Sequence, residues 1–133
     1  MPGRDTANDL VVQYVDSWLS QDAAQFLDTL HDDVIVRECY GPVYEGKEAC
    51  ERWFRTWHDE GNRVLRWTIR SFLFDPETTM TAFEWDFSCV ADGKEHAFLG
   101  SSHVTFRDER IDSINEYEMT ADQYRCYATI DRQ

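Results

Sequence analysis

Residues 30–50 read LHDDVIVRECYGPVYEGKEAC, and their order decides the fold. Asp32-Asp33 is a turn signal, and Val34 to Glu38 after it (VIVRE) is a short β-branched run of strand type. Gly41-Pro42 and Glu45-Gly46 bracket a loop that contains Tyr40 and Tyr44. From Lys47 to Glu60 the pattern changes period. Cys50, Trp53, Phe54 and Trp57 fall on one helical face, and Gly61-Asn62 supplies the stop. A short strand therefore runs through a tight loop into an amphipathic helix.

Upstream the chain reads as helices. Asp5 to Ser20 places Leu10, Val11, Tyr14, Val15, Trp18 and Leu19 three and four apart, with Thr6 or Asn8 as the capping candidate. Ala23 to Leu30 gives a second, shorter helix with Phe26, Leu27 and Leu30 on one side. Downstream the chain reads as strands. Arg63 to Phe74 ends at Asp75-Pro76, and Thr79 to Val90 alternates Phe83, Trp85, Phe87 and Cys89 against Glu84, Asp86 and Ser88. Asp92-Gly93 is a hairpin signal, Lys94 to Phe106 returns, Asp108-Glu109 turns again, and Ile111 to Met119 is the last strand. Thr120 to Tyr127 reads as a final helical turn. Helices followed by an antiparallel meander imply an α+β fold with the helices on one face of the sheet. Without a linker, repeat or low-complexity segment, residues 1–133 form one expected domain.

Composition narrows the function classes. Twenty-six acidic residues against 13 basic ones give a net charge of −13, which repels phosphate backbones and anionic lipid. Nucleic acid and membrane partners are therefore not expected. Five Trp, six Tyr and eight Phe describe either a Trp-rich core or a lined cavity or oligomer interface. Cys39, Cys50, Cys89 and Cys126 are far apart, with neither a CxxC pair nor a metal-ligand spacing, and the first residues are polar. The expectation is reduced thiols in a cytoplasm and no metal. A Gly-rich phosphate loop, a Walker lysine, HExxH and GxSxG are all missing, so no cofactor is expected.

The order of elements resembles the nuclear transport factor 2-like superfamily, which includes ketosteroid isomerase, scytalone dehydratase and the SnoaL-like polyketide cyclases. Residues 30–50 are similar to its short strand, Gly-containing loop and helix start, and HVTFRDERIDSINEYE (103–118) to its closing hairpin. The resemblance spans Leu10 to Met119. It implies a cone-shaped α+β barrel: a curved, mostly antiparallel sheet wrapped by three helices of the N-terminal half around a hydrophobic pocket. It also implies a homodimer through the convex sheet face. Tyr14 to Gly41 is similar to the isomerase without a gap. On that match Tyr14 stands for the oxyanion-hole tyrosine and Glu38 for the proton-shuttling aspartate. The second oxyanion donor falls at Ser102 or, one register on, at His103. Neither is a carboxylic acid, so the two-donor hole is incomplete on this match.

Catalytic candidates follow. Glu38 is either a base desolvated among aromatic rings or a rim carboxylate paired with Arg37 or another surface base. Tyr14 shares the inward stripe of the first helix and is either an oxyanion donor or a core tyrosine. Glu116 shares a face with Ile114, and the SnoaL-like cyclases resemble this with an aspartate on their closing strands. Glu116 is otherwise a solvated residue of an acidic run. His103 points outward if Val104 and Phe106 point inward, unless a bulge at Gly100-Ser101 reverses the strand. His31, His58 and His96 are expected to be exposed. Candidate ligand contacts are Trp18, Trp53, Phe54, Trp57, Trp67, Trp85, Phe87 and Ser102. Together they suit a small hydrophobic, planar molecule. The epoxide-hydrolase branch of the superfamily needs an inward arginine and aspartate, but Glu84 and Asp86 have no arginine between them and are expected outward. Two functions stand at this point. One is a cofactor-independent isomerase, cyclase or dehydratase acting on a hydrophobic carbonyl compound; the other is a non-catalytic ligand-binding or dimerisation protein.

Overall fold

The structure, a computed structural model, describes residues 2–127. Three helices, α1 (Arg4–Ser20), α2 (Ala23–Asp28) and α3 (Lys47–Asp59), lie with six strands among the described residues. The strands are β1 (Leu30–Arg37), β2 (Val43–Glu45), β3 (Arg63–Phe74), β4 (Thr81–Ala91), β5 (Lys94–Arg107) and β6 (Arg110–Met119).

Each helix begins and ends for a local reason. The stripe Ala7, Leu10, Val11, Tyr14, Val15 and Trp18 is buried, which fixes the face α1 turns to the sheet. Gln21 then takes a left-handed conformation (φ 58°) and its N–H closes on the Ser17 carbonyl. Asp22 caps α2 by accepting from the Gln25 N–H at 3.0 Å. Gly3, rather than Thr6 or Asn8, stands at the start of α1.

The sheet has the order β2-β1-β6-β5-β4-β3. All its pairings are antiparallel except β1 with β6. After β1 the chain makes its edge strand, its third helix and the meander. It then returns to lay its last strand along β1 in the same direction. Register shifts in β3 at Val64/Arg66 and Ile69/Ser71 bend that long strand, as bulges do. The helices cover the concave face, and the core lies between them and inward residues such as Val36, Phe83, Val104, Phe106 and Ile114. The α+β class, the helix coverage and the curved sheet agree with the sequence reading. The sheet is open rather than a closed barrel, with β2 and β3 as its two edges.

Other differences have identifiable causes. Leu30 starts β1 instead of finishing α2, because it pairs with Ile111 and is fully buried there. The loop over Tyr44 contains β2, a strand too short for a periodicity signal. Thr120 to Tyr127 makes no helical turn.

Gly100 is the tightest backbone contact. The Trp85 indole lies against it, and a Cβ at this position would overlap both the ring and the Tyr117 carbonyl. Gly100→Ala is expected to lower stability by about 1–3 kcal/mol through overpacking. A melting temperature equal to that of the parent would show that Trp85 is free to move aside.

Candidate functional site

A cavity of about 520 Å³ opens between α1, α3 and the concave sheet face. Nine aromatic side chains and two facing carboxylates, Glu38 and Glu116, are among its lining residues.

Glu38 follows from strand alternation. Val34 and Val36 point inward and are fully buried, so the next residue on that face is Glu38, one position past the end of β1. The Glu38 N–H bonds the Pro42 carbonyl at 2.9 Å, which folds the Gly41-Pro42 loop back over it. That return brings two phenols onto the carboxylate. Tyr40 donates to both its oxygens at 2.9 Å and Tyr44 to Oε1 at 2.9 Å. Burial raises the Glu38 pKa from its ordinary value, and the two phenol hydrogen bonds pull it part of the way back. Arg37 points to the opposite face and donates to Asn115, so the sheet separates it from Glu38.

Glu116 follows from the β5–β6 register. It pairs with Ser102, and its Oε2 accepts from the Ser102 hydroxyl at 3.3 Å. The same hydroxyl accepts from the Trp85 indole N–H at 2.9 Å. A relay of three side chains therefore fixes this carboxyl. Burial first, and the Glu38 charge second, push Glu116 up to about 8. At neutral pH Glu116 is thus largely a carboxylic acid, and Glu38 is the better-solvated member of the pair.

Tyr14 is only 3% exposed and lines the same cavity. Its hydroxyl donates to no protein group among the described residues. Burial, then the charge of Glu116, raises its pKa well above the ordinary tyrosine value. It remains a protonated donor across the physiological range. Cys39 is also in the wall. Burial and the charges of Glu118 and Glu116 push its thiol up to about 12, which makes it a poor nucleophile.

Trp18, Trp53, Trp57, Trp67, Trp85 and Phe87 line the cavity. Tyr44 stacks on Trp53 with centroids 4.2 Å apart, linking the Glu38 clamp to the aromatic wall. Three sequence candidates lie elsewhere. Phe54 is core, stacked on Phe26 at 4.5 Å and only 2% exposed. Ser102 is fully buried behind the wall, where it holds Trp85 and Glu116. His103 is exposed on the convex face against Tyr117, because no bulge forms at Gly100-Ser101 and the irregularity falls at Thr105/Phe106. Its placement gives a catalytic role no geometric support. Glu84 and Asp86 also face outward, accepting from Ser71 and Arg66. His31 and His58 are part-buried rather than exposed, and His58 packs against Trp18 and Phe54.

Sequence reasoning missed Tyr40 and Tyr44 as site residues. The available signal was two tyrosines placed around a Gly-Pro turn directly after Glu38. It also missed the rim formed by Glu60, Asp92, His96 and Glu118. Among the described residues no cluster of His, Cys, Asp or Glu is arranged to hold a metal ion. No helix among them is long and apolar enough to cross a membrane.

Residues 11–114 match the family model described as a SnoaL-like domain. No curated protein matches the chain. Three of the solved structures that share its fold illustrate the range. One is a proposed polyketide cyclase from Xanthomonas campestris pv. campestris (21% identity, TM-score 0.69, covering 86% of this chain and 90% of that one). Another is an LEH-like epoxide hydrolase from M. tuberculosis (15%, 0.77, 89% and 86%). The third is a hypothetical protein with a ketosteroid isomerase-like fold from Catenulispora acidiphila, in complex with trimethylamine (16%, 0.68, 81% and 83%). At these identities the likeness is one of fold, and the scaffold carries many chemistries.

The Glu116 shift has a consequence for stability. Its proton is held more tightly in the folded chain than in the unfolded one. Its contribution to stability is therefore largest at low pH and is lost as pH rises from 4.5 to about 8. Glu116→Gln removes this loss. Relative to the parent, the variant is expected to gain about 2–4 kcal/mol between acidic and alkaline urea titrations. Parallel pH profiles for the two proteins would mean that Glu116 titrates normally.

Proposed function

The chain belongs to the SnoaL-like domain family, and from that premise we propose that it is a cofactor-independent acid/base enzyme acting on a small hydrophobic carbonyl compound. The reaction is of the isomerase, cyclase or dehydratase kind. The observation that carries this reading is the difference between two carboxyls lining one aromatic cavity. Glu38 is clamped by two phenols, and Glu116 is pushed up to about 8. A pair of carboxyls whose surroundings separate their pKa values can divide the work of acid and base.

In the proposed mechanism the substrate lies flat among the indoles with its carbonyl oxygen toward Tyr14 and Glu116. Glu38 removes the proton from the carbon next to the carbonyl. The resulting enolate oxygen takes hydrogen bonds from the Tyr14 hydroxyl and from the protonated Glu116 carboxyl. Glu38 then returns the proton at a different carbon, or the enolate carbon adds to a second carbonyl of the substrate whose oxygen takes the proton from Glu38, or the enolate expels a β-hydroxyl that leaves as water with that proton. On this reading the acid that is missing from position 102 is supplied by the neighbouring strand. Ser102 pairs directly with Glu116, so the donor moves across the ladder and stays near the same point in the cavity. The trimethylamine held by the Catenulispora protein makes a small amine one further ligand to test on this chain.

A reducing, cytoplasmic setting is supported by four free cysteines. For assembly we propose a homodimer through the convex face. There the His103 ring packs against Tyr117 at a tilt, and Tyr117 and Met119 are 55% and 50% exposed.

Three outcomes are expected. With a panel of cyclic enones and β-dicarbonyl compounds, Glu38→Gln should lower kcat by roughly 10²–10⁴-fold. Tyr14→Phe should lower it by about 10²-fold. Unchanged turnover in Glu38→Gln would remove that residue from the mechanism. The profile of kcat/KM against pH should be a bell. It rises as Glu38 ionises and falls as Glu116 loses its proton near pH 8. Light scattering at micromolar concentration should give the mass of two chains, and a single-chain mass would reject the dimer.

A further inference from the structure

The mouth of the cavity differs in character from its floor. Asp92 donates its N–H to the Asn62 side-chain carbonyl at 3.0 Å, which ties the β4–β5 hairpin to the end of α3. That tie sets Asp92 and Glu60 at one rim, and Glu118 on β6 completes it. Glu60 is also the C-cap of α3, so the negative end of the 13-residue helix adds to the same potential. Neither lysine nor arginine is found among the residues that line the cavity, and His96 is the one basic side chain beside the three rim carboxyls. Trp53 and Trp57 of α3 and Phe98 of β5 line the same cavity. Ring faces beside carboxylates are the combination that recognises a poorly hydrated organic cation, since both offer it negative potential.

A second observation comes from the floor. Tyr14 is 3% exposed and lines the cavity, and its hydroxyl donates to nothing among the described residues. An occupant should therefore carry an acceptor at its inner end.

We propose that the ligand of this cavity is a carbonyl compound bearing a small alkylammonium group, with the carbonyl inward at Tyr14 and the ammonium outward at the rim. The inference names the substrate class of the same site and so rests on the reading of that cavity as a ligand site. It does not require proton transfer. The charge placement also keeps the two roles apart. A cation at the rim leaves Glu116 in its dry surroundings deeper in the wall, where it can keep its proton.

All five tryptophans of the chain line the cavity, so their fluorescence reports occupancy directly. The test is a titration with choline and with its neutral carbon isostere, 3,3-dimethylbutan-1-ol. About 0.15 M salt should be present to screen the net charge of −13. Choline should bind at least tenfold more tightly than the alcohol. The triple rim variant Glu60→Gln, Asp92→Asn, Glu118→Gln should lose that preference and leave the affinity for the alcohol unchanged. Equal affinities in the parent would overturn the inference, and so would a preference that survives in the triple variant. Neither ligand reacts. A failure here would leave proton transfer on a neutral ketone standing, whereas choline binding with unchanged Glu38→Gln turnover would remove the catalytic reading alone.

Discussion

The site depends on the register of the parallel pair β1 and β6. Arg37 lies opposite Asn115, so one residue further the chain brings Glu38 and Glu116 to neighbouring positions on the concave face. Neighbouring strands are about 4.8 Å apart. The two carboxyls line one aromatic cavity, and the charge on Glu38 adds to the burial that already disfavours ionisation of Glu116. Burial is the first cause of the Glu116 shift, and local hydrogen bonding adds to the difference between the two carboxyls. Glu38 has two phenol donors, and donors favour the charged form. Glu116 has one longer contact, from Ser102. The asymmetry of the pair is thus a product of deeper burial at Glu116, of which loop follows β1 and of which residue lies opposite β6.

The scaffold protects this arrangement from both sides. Behind Glu116, the relay from Trp85 through Ser102 couples its position to the packing of an indole, and that indole in turn requires Gly100 beneath it. Behind Glu38, Tyr44 stacks on Trp53 and so anchors the phenol clamp to α3. Neither carboxyl can be repositioned without disturbing a large aromatic contact. Preorganisation of this kind gives a polar site a fixed geometry before any ligand arrives.

Local signals in the sequence account for most of the fold. The stripe over Leu10 to Trp18, the alternation over Phe83 to Cys89 and the Asp92-Gly93 turn each specify their element without help from the rest of the chain. What they do not carry is pairing. Strand β2 is three residues long and exists only because Val43 to Glu45 find Ile35 to Arg37. Likewise, an open sheet and a closed one read identically along the chain, because closure depends on whether two distant edges meet. For the site, period-two alternation was enough to turn Trp85 and Glu116 inward, whereas Glu38 followed from the resemblance. Periodicity could not separate Phe54, which packs on Phe26, from Trp53 and Trp57, which share its helix but line the cavity. The clamp by Tyr40 and Tyr44 also stayed hidden, because it depends on how a Gly-Pro loop folds back.

A match along the sequence assumes that a functional group stays at its position, whereas the physics requires only that it stays at its place in space. In a sheet those conditions differ, because each residue has cross-strand partners as close as its own neighbours. Position 102 carries a serine, yet a carboxyl reaches the region from position 116 through the ladder, and the serine is retained as its hydrogen-bond donor. A search confined to position 102 would find an incomplete site, while a search over the concave face finds Tyr14, Glu38 and Glu116 together. Where a fold hosts many reactions, the pattern of inward groups across adjacent strands is therefore the better unit of comparison.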